Sequence, residues 1–181
     1  MSETKKVLAV VGSLRRESLN RELALAAQQA APEGVEVVLA EGIADVPFYN
    51  EDIDGEGAPA AAADLRRQIA DADAVLFVAP PNNGTISAVQ KNVIDWASRP
   101  YGESSLSGKP SGIVGVGHRL DTTFSDAERS ITIAGGVVPD GAKVEFLISS
   151  LEGKSPRESA AVAAPLRALL ETLVAGELQS A

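Results

Sequence analysis

The chain is organised around the stretch Lys6-Val-Leu-Ala-Val-Val-Gly-Ser-Leu-Arg-Arg-Glu-Ser-Leu-Asn20. Its apolar run over residues 7–11 predicts a strand buried on both faces, because such strands are continuously apolar rather than alternating. Apolar residues at helical spacing begin at Leu23 and continue to Ala30, so residues 12–20 must turn the chain from strand into helix. The same order of strand and then helix recurs along the rest of the chain.

The turn between this strand and helix consists of small, hydroxyl, amide and guanidinium groups. Gly12 can adopt backbone angles that are closed to other residues. Ser13, Ser18 and Asn20 offer side-chain donors beside the backbone N–H groups that a helix start leaves unpaired. Arg15 adds a fork-shaped donor that suits two phosphate oxygens. We therefore predict a cradle for one phosphate monoester; the alternative is that Ser18 or Asn20 merely caps a helix.

Two better-known phosphate loops do not match this turn. No Gly-Lys-Ser/Thr follows, which excludes a Walker A loop, and Gly12 lacks the second and third glycines of the dinucleotide fingerprint. The remaining interpretation is a hydroxyl-rich loop that holds the phosphate of a mononucleotide.

Four blocks of sequence together resemble the NADPH-dependent FMN reductase family, which also contains chromate-, quinone- and azo-reducing flavoproteins. The blocks are Gly12-Ser-Leu-Arg-Arg-Glu-Ser-Leu-Asn20, Val46-Pro-Phe-Tyr-Asn-Glu-Asp52, Lys91-Asn-Val-Ile-Asp-Trp-Ala-Ser-Arg-Pro100 and Leu106-Ser-Gly-Lys-Pro110. The resemblance implies FMN as cofactor and NADPH or NADH as co-substrate. It also implies that one group of residues holds the FMN phosphate: Ser13, Arg15, Ser18, Leu19 and Asn20.

Composition narrows the function further. The 181 residues fit one domain, 1–181, and 25 acidic against 16 basic residues give a net charge of −9, which disfavours nucleic acid and anionic membranes as partners. The absence of cysteine excludes disulfides and thiolate chemistry, and the single histidine, His118, leaves too few ligands for a zinc site of the usual kind. No apolar run could span a bilayer and no leader is recognisable, so we expect a cytoplasmic protein.

Strand and helix patterns alternate five times along the chain. Strands are predicted at 7–11, 35–40, 74–79, 111–117 and 137–148, the last interrupted at 139–141. Helices are predicted at 23–30, 60–72, 87–99, 122–134 and 155–174. This alternation predicts a flavodoxin-like α/β fold, a doubly wound five-stranded parallel sheet of order 2-1-3-4-5 with helices on both faces. The ligand should lie outside the carboxyl ends of the first, third and fourth strands.

The loop after the third strand runs past the flavin ring in the resembled family, where it commonly reads Pro-Glu-Tyr-Asn. Two positions depart from that pattern, because Pro81 stands for the glutamate and Asn82 for the tyrosine. We expect the backbone N–H groups of residues 83–85 to bond the ring, since this needs no particular side chain. The loss of an aromatic side chain predicts altered substrate or nicotinamide selectivity. The residues that keep the pattern are Pro80, Asn83, Gly84, Thr85 (for serine) and Ile86. We predict that residues 80–85 contact the cofactor and that Asn82 also contacts the substrate.

Two further segments supply candidate residues. After the fourth strand come Gly117, His118 and Arg119. This loop departs from the resembled family, which often has Gly-Ala-Ser or a similar small run there. We predict that Gly117 and His118 contact the cofactor, with His118 a weak candidate for proton transfer, and that Arg119 attracts the NADPH 2′-phosphate or an anionic reduced flavin. The alternative is that His118 and Arg119 simply face solvent. In the long loop 41–59, Phe48 and Tyr49 could cover a substrate pocket, or could anchor the loop.

The resemblance and these residues predict an FMN-dependent NAD(P)H oxidoreductase that passes reducing equivalents from a nicotinamide to a small acceptor, such as free flavin or a quinone. The flavin supplies the chemistry, so no protein acid or base is required. The alternative is a flavin-binding protein of divergent chemistry, either a specialised pathway enzyme or a partner-reduced carrier. A homodimer or homotetramer is implied by the resemblance alone.

Overall fold

The computed structural model describes residues 4–55 and 57–175, whose core is one five-stranded parallel sheet. Its order is β2-β1-β3-β4-β5, with parallel pairing throughout, so the predicted topology is confirmed. The strands are β1 Lys5–Val11, β2 Val35–Leu39, β3 Ala74–Val78, β4 Ser111–Gly117 and β5 Lys143–Leu147.

Five helices cover both faces of the sheet: α1 Leu19–Ala30, α2 Ala60–Ala70, α3 Ala88–Ala97, α4 Asp121–Ile133 and α5 Ala160–Ala175. Val7, Ala9 and Val11 pack with α1 and α5 on one face. Leu8 and Val10 pack with α2, α3 and α4 on the other. Because both sides of β1 are covered, its apolar run is continuous.

Glycines in β4 allow other parts of the chain to approach this strand closely. A Cβ on Gly112 would lie 3.0 Å from Leu173 in α5, and a Cβ on Gly115 would lie 2.5 Å from the Ala79 carbonyl oxygen. The groups that approach the strand are therefore other parts of the protein itself.

The fifth strand is shorter than predicted. Val137 makes only an isolated bridge to Pro110, and the strand begins at Lys143. The reason is the turn between them, in which the Ala142 N–H donates to the Pro139 carbonyl at 3.0 Å and Gly141 adopts a φ of +82°. A proline without an N–H group and a left-handed glycine cannot continue a ladder.

The last helix begins at Ala160, five residues after the predicted start. Ser155 donates from both its backbone N–H and its hydroxyl to the Glu158 carboxylate, and the Ser159 N–H donates to the Ser155 carbonyl at 3.1 Å. This separate turn, with the Ser-x-x-Glu pattern of a capping box, precedes the helix.

At the other end of the chain, α1 begins at Leu19 because Ser18 caps it.

The carboxyl ends of β1, β3 and β4 meet at one edge of the sheet, as parallel strands require. Three loops leave this edge: the first loop (residues 12–18), the second loop (residues 79–87) and the third loop (residues 118–120). Among the described residues, no helix combines the length and the apolar character that crossing a bilayer demands.

Candidate functional site at the carboxyl edge of the sheet

The N-terminus of α1 opens onto the first loop. Within the described part of the chain, the backbone N–H groups of Leu19 and Asn20 have no hydrogen-bond acceptor, whereas that of Arg21 donates to the Ser18 hydroxyl oxygen at 3.3 Å. Unpaired N–H groups and the positive end of the helix dipole favour an anion. Ser18 caps α1, and this cap leaves two N–H groups open to a phosphate.

Asn20 uses its side chain differently from the prediction. Its Nδ2 donates to the Val116 carbonyl and its Oδ1 accepts from the Val116 N–H, both at 3.0 Å, and the side chain is buried. The pairing between β3 and β4 has already ended at Val78 and Val114, so the amide occupies the place of a neighbouring peptide group. Asn20 therefore joins α1 to β4, and its backbone N–H remains as the group that could reach a phosphate.

Ser13 and Arg15 lie in the accessible part of the first loop. The Arg15 N–H donates to the Ser13 hydroxyl oxygen at 3.4 Å, and one guanidinium nitrogen donates to the Glu17 carbonyl at 3.2 Å. Arg15 is exposed, so its guanidinium could leave the Glu17 carbonyl and bind an anion at little cost in free energy.

The second loop contains a tight two-residue turn. The Asn82 N–H donates to the Thr85 carbonyl at 3.0 Å and the Thr85 N–H donates to the Asn82 carbonyl at 3.1 Å. Asn83 and Gly84 lie between them with φ of 50° and 80°, which are the left-handed angles of a type I′ turn. Of the three N–H groups predicted to bond a ring, that of Thr85 is already engaged, while those of Asn83 and Gly84 have no acceptor among the described residues.

The start of α4 holds this turn in place. The Thr122 hydroxyl donates to the Gly84 carbonyl at 2.5 Å, and the Thr123 hydroxyl donates to the Thr85 carbonyl at 3.3 Å. The Thr85 hydroxyl donates to the Asp126 carboxylate at 2.7 Å. Sequence reasoning missed these residues, although a helix start that reads Asp-Thr-Thr was the available signal. The turn is therefore preorganised before any ligand arrives.

The second loop also packs on the end of β4. A Cβ on Gly117 would lie 2.5 Å from Pro81 Cγ, so no side chain fits there without moving the loop. Pro80 is buried and Pro81 half-buried. The cofactor contacts predicted for Gly117, Pro80 and Pro81 stay predictions. The packing of these three residues fixes the distance between the second loop and the end of β4.

His118 and Arg119 occupy the third loop and are exposed. Among the described residues, neither side chain has a hydrogen-bond or ion-pair partner, so both could meet a ligand at the edge of the sheet.

Tyr49 belongs to a separate cluster on α3. Its N–H donates to Asn92 Oδ1 at 2.8 Å, and its ring meets Trp96 edge-on with centroids 5.1 Å apart. Trp96 is fully buried, and its Nε1 donates to the Pro47 carbonyl at 2.7 Å. These contacts support the loop-anchor alternative for Tyr49, and its predicted substrate contact is not tested by them.

Phe48 points the other way and is 78% exposed. With Leu14 of the first loop it lines a pocket of about 280 Å³. The pocket walls contain no charged side chain: Leu14, Ile43, Ala44, Val46, Pro47, Phe48, Ala88, Val89 and Asn92. An uncharged, largely apolar pocket of this kind suits the flat ring of a ligand.

An ion pair fixes the rest of the long loop. Arg66 bonds both oxygens of the Asp54 carboxylate at 2.9 Å, and its guanidinium lies 5.1 Å from the Trp96 ring centroid. The hydrogen bond from Arg66 holds the pKa of Asp54 below its usual value, against the opposing effect of burial. Asp54 is thus a charged anchor rather than a proton donor.

This chain resembles known proteins in sequence. The model of the family described as NADPH-dependent FMN reductase matches residues 5–142. A quinone reductase from Pseudomonas putida is 47% identical over 116 residues, and an NAD(P)H-dependent FMN reductase from Pseudomonas aeruginosa is 45% identical over 116 residues. Each match spans 64% of this chain and 62% of the relative, so less than two thirds of either relative is matched.

A solved structure extends the likeness beyond these segments. The flavoenzyme NAD(P)H:(acceptor) oxidoreductase FerB from Paracoccus denitrificans is 28% identical, with a TM-score of 0.74. The match covers 97% of this chain and 98% of that one. The likeness in fold therefore includes α5, which lies beyond the family match.

Proposed function

The chain belongs to the NADPH-dependent FMN reductase family, and from this premise we propose that it is an FMN-dependent NAD(P)H oxidoreductase. It passes reducing equivalents from NADPH or NADH to a small acceptor such as a quinone or free flavin. One observation carries the proposal: the unpaired N–H groups of Leu19 and Asn20 lie at the same sheet edge as the rigid turn at residues 82–85. The N–H groups of Leu19 and Asn20 suit a phosphate, and the turn at residues 82–85 suits the polar edge of a ring.

The residues present fit FMN. The N-terminus of α1, with Ser13, Arg15 and the Ser18 hydroxyl, would hold the phosphate. The N–H groups of Asn83 and Gly84 would meet the ring edge, and bound FMN would supply the hydride transfer. The protein's part is to bind, orient and shield, which explains why no catalytic acid or base is needed.

The acceptor is the second part of the proposal. Relatives named quinone reductase support a quinone acceptor, and the uncharged pocket between Leu14 and Phe48 would suit its planar ring. Arg119, exposed on the third loop, would attract the NADPH 2′-phosphate, and His118 would donate to the flavin or the acceptor. Asn82 leaves more room than a tyrosine at the ring, which would widen the range of acceptors.

Anaerobic stopped-flow mixing tests this function. The FMN-loaded protein is mixed with NADPH or NADH and its flavin absorbance is followed; a quinone is then added. Rapid bleaching by one nicotinamide, followed by recovery of the absorbance with the quinone, is the expected result. Rapid bleaching without recovery would refute the acceptor class, while the reductase function would stand.

The departures Pro81 and Asn82 favour a second candidate, a flavin-binding protein of divergent chemistry. Both backbone polar groups of Asn82 are engaged within the turn and its side chain is exposed. In this case FMN binds, but neither nicotinamide bleaches it within minutes, and a specialised substrate or a protein partner reduces it. Failure to bind FMN at all would exclude both candidates.

We further propose a homodimer or homotetramer in the cytoplasm. Tyr101 and Ile133 are 91% and 82% exposed and line a pocket of about 480 Å³ between α3 and α4, which supports burial of this face by another copy. Light scattering at several concentrations tests the assembly, and fractionation of cells tests the location.

A further inference from the structure

A line of hydrogen bonds runs through the tight turn of the second loop and ends at an open N–H group. The line begins at α4, where the Thr122 hydroxyl donates to the Gly84 carbonyl at 2.5 Å. The peptide group of that carbonyl also carries the Thr85 N–H, which donates to the Asn82 carbonyl at 3.1 Å. The peptide group of this second carbonyl carries the Asn83 N–H. The Thr122 hydroxyl is therefore joined to the Asn83 N–H through two peptide groups.

The N–H group at the end of this line is accessible. Asn83 is exposed, and its N–H has no acceptor among the described residues. The turn holds Asn83 at a φ of 50°, and the two hydrogen bonds that close the turn do not use this N–H. The polar edge of a bound ring can therefore reach the Asn83 N–H from solvent.

Hydrogen bonds that follow one another in such a line strengthen each other. A donor at a carbonyl oxygen polarises the whole peptide group, so the N–H of that group becomes a stronger donor in turn. The gain is about 10–30% for each bond. The Thr122 hydroxyl therefore strengthens the Asn83 N–H as a donor, although the two groups are not in contact.

Two neighbouring groups of the same turn do not belong to this line. The Thr123 hydroxyl donates to the Thr85 carbonyl at 3.3 Å. The peptide group of that carbonyl carries the N–H of Ile86 and not that of Asn83. The Gly84 N–H belongs to the peptide group of the Asn83 carbonyl, which accepts no hydrogen bond within the described residues. The line thus acts on one of the two open N–H groups and starts from one of the two threonines.

We propose that Thr122 is a positioning residue that raises the reduction potential of bound FMN by strengthening the Asn83 N–H as a donor to the ring. The inference rests on the proposed function, since it requires a flavin ring at this turn. Hydride transfer brings negative charge to the ring, and a hydrogen bond to a charged acceptor is stronger than one to a neutral acceptor. A stronger Asn83 N–H therefore favours reduced over oxidised flavin.

The substitution Thr122→Val tests the proposal, because valine keeps the branched shape of threonine without its hydroxyl. The preference of the protein for reduced over oxidised FMN should fall about threefold. For a two-electron couple this lowers the potential of bound FMN by about 14 mV, which a spectroelectrochemical titration measures. Thr122→Ser keeps the hydroxyl and should keep the wild-type potential.

Thr123→Val is the matched control. It removes a hydroxyl from the next residue of α4 and a hydrogen bond to the same turn, but it leaves the line to Asn83 intact. The affinity for oxidised FMN should fall in Thr122→Val and in Thr123→Val, because both substitutions loosen the turn. The potential of bound FMN should fall only in Thr122→Val.

The cofactor-free protein provides a second readout by NMR. The backbone ¹⁵N resonance of Asn83 should move upfield in Thr122→Val, because its peptide group is less polarised. The resonance of Gly84 should move less, since the Gly84 N–H lies outside the line. Neither resonance should move in Thr122→Ser.

Three results would overturn the inference. A potential that falls equally in Thr122→Val and Thr123→Val, or in neither, would show that the line does not act on the flavin. An unmoved Asn83 resonance in Thr122→Val would show that the hydroxyl does not polarise this N–H. A wild-type chain that binds no flavin would instead refute the proposed function, and this inference with it.

Discussion

At the scale of single residues, Gly117 sets how closely the second loop approaches β4. We predict that Gly117→Ala destabilises the fold by about 1–3 kcal/mol, because its Cβ would meet Pro81 Cγ at 2.5 Å and the rigid proline ring cannot yield. FMN affinity should fall as well, because the displaced loop carries the turn at residues 82–85. Urea unfolding and a flavin titration measure the two effects.

Gly57→Ala is the control for this prediction. Gly57 has no atom within 4 Å of a built Cβ, so alanine should be tolerated there without loss of stability. If Gly117→Ala also kept the wild-type unfolding midpoint and FMN affinity, the close packing of the second loop on β4 would contribute neither to stability nor to FMN binding.

At the scale of elements, α4 organises a turn that it does not contain. We predict that Thr122→Val, which removes the bond to the Gly84 carbonyl, costs about 1 kcal/mol and weakens FMN binding, because the turn loses one of its supports. The affinity for FMN and the Tm of the cofactor-free protein are to be measured together.

Thr172→Val in α5 is the comparison for Thr122→Val. Thr172 donates to the Ala168 carbonyl at 3.0 Å within its own helix, far along the chain from the site. Equal FMN affinities for the two variants would show that the hydrogen bond from α4 to the turn does not contribute to FMN binding.

A second prediction for elements concerns the pair that joins the long loop to α2. Arg66 lowers the pKa of Asp54 below its ordinary value of 3.8, so the paired carboxylate stabilises the fold fully above that pH. This contribution should disappear as the pH falls through the lowered pKa. We therefore expect the stability advantage of wild type over Asp54→Asn to be constant between about pH 5 and 7 and to shrink below about pH 4.

Asp64→Asn provides the contrast, since the Asp64–Arg67 pair is exposed and such pairs contribute about 0–1 kcal/mol. Urea unfolding at each pH measures both variants. An advantage over Asp54→Asn that did not change with pH would contradict the assignment.

At the scale of the whole molecule, the continuous apolar runs and their alternation with helical patterns were sufficient to predict the sheet order. They also located the carboxyl edge, because chain order and right-handed crossovers leave little choice. The contacts that finish the site were not predictable, because they join distant residues. Asn20 reaches Val116 only because the β3–β4 pairing ends first, and Tyr49 packs on Trp96 through contacts that no local pattern reveals.

The last prediction follows from this assembly of distant segments. The three loops meet only in the folded chain, so FMN should bind the native state and not the unfolded one. At an FMN concentration about 100 times the Kd, the native state gains about 2.7 kcal/mol, which raises the Tm of a chain of this size by about 5–10 °C. Differential scanning calorimetry over a series of FMN concentrations measures the shift, with adenosine monophosphate as a phosphate-bearing control. A Tm that does not respond to FMN, or that responds equally to adenosine monophosphate, would contradict a site built for a flavin.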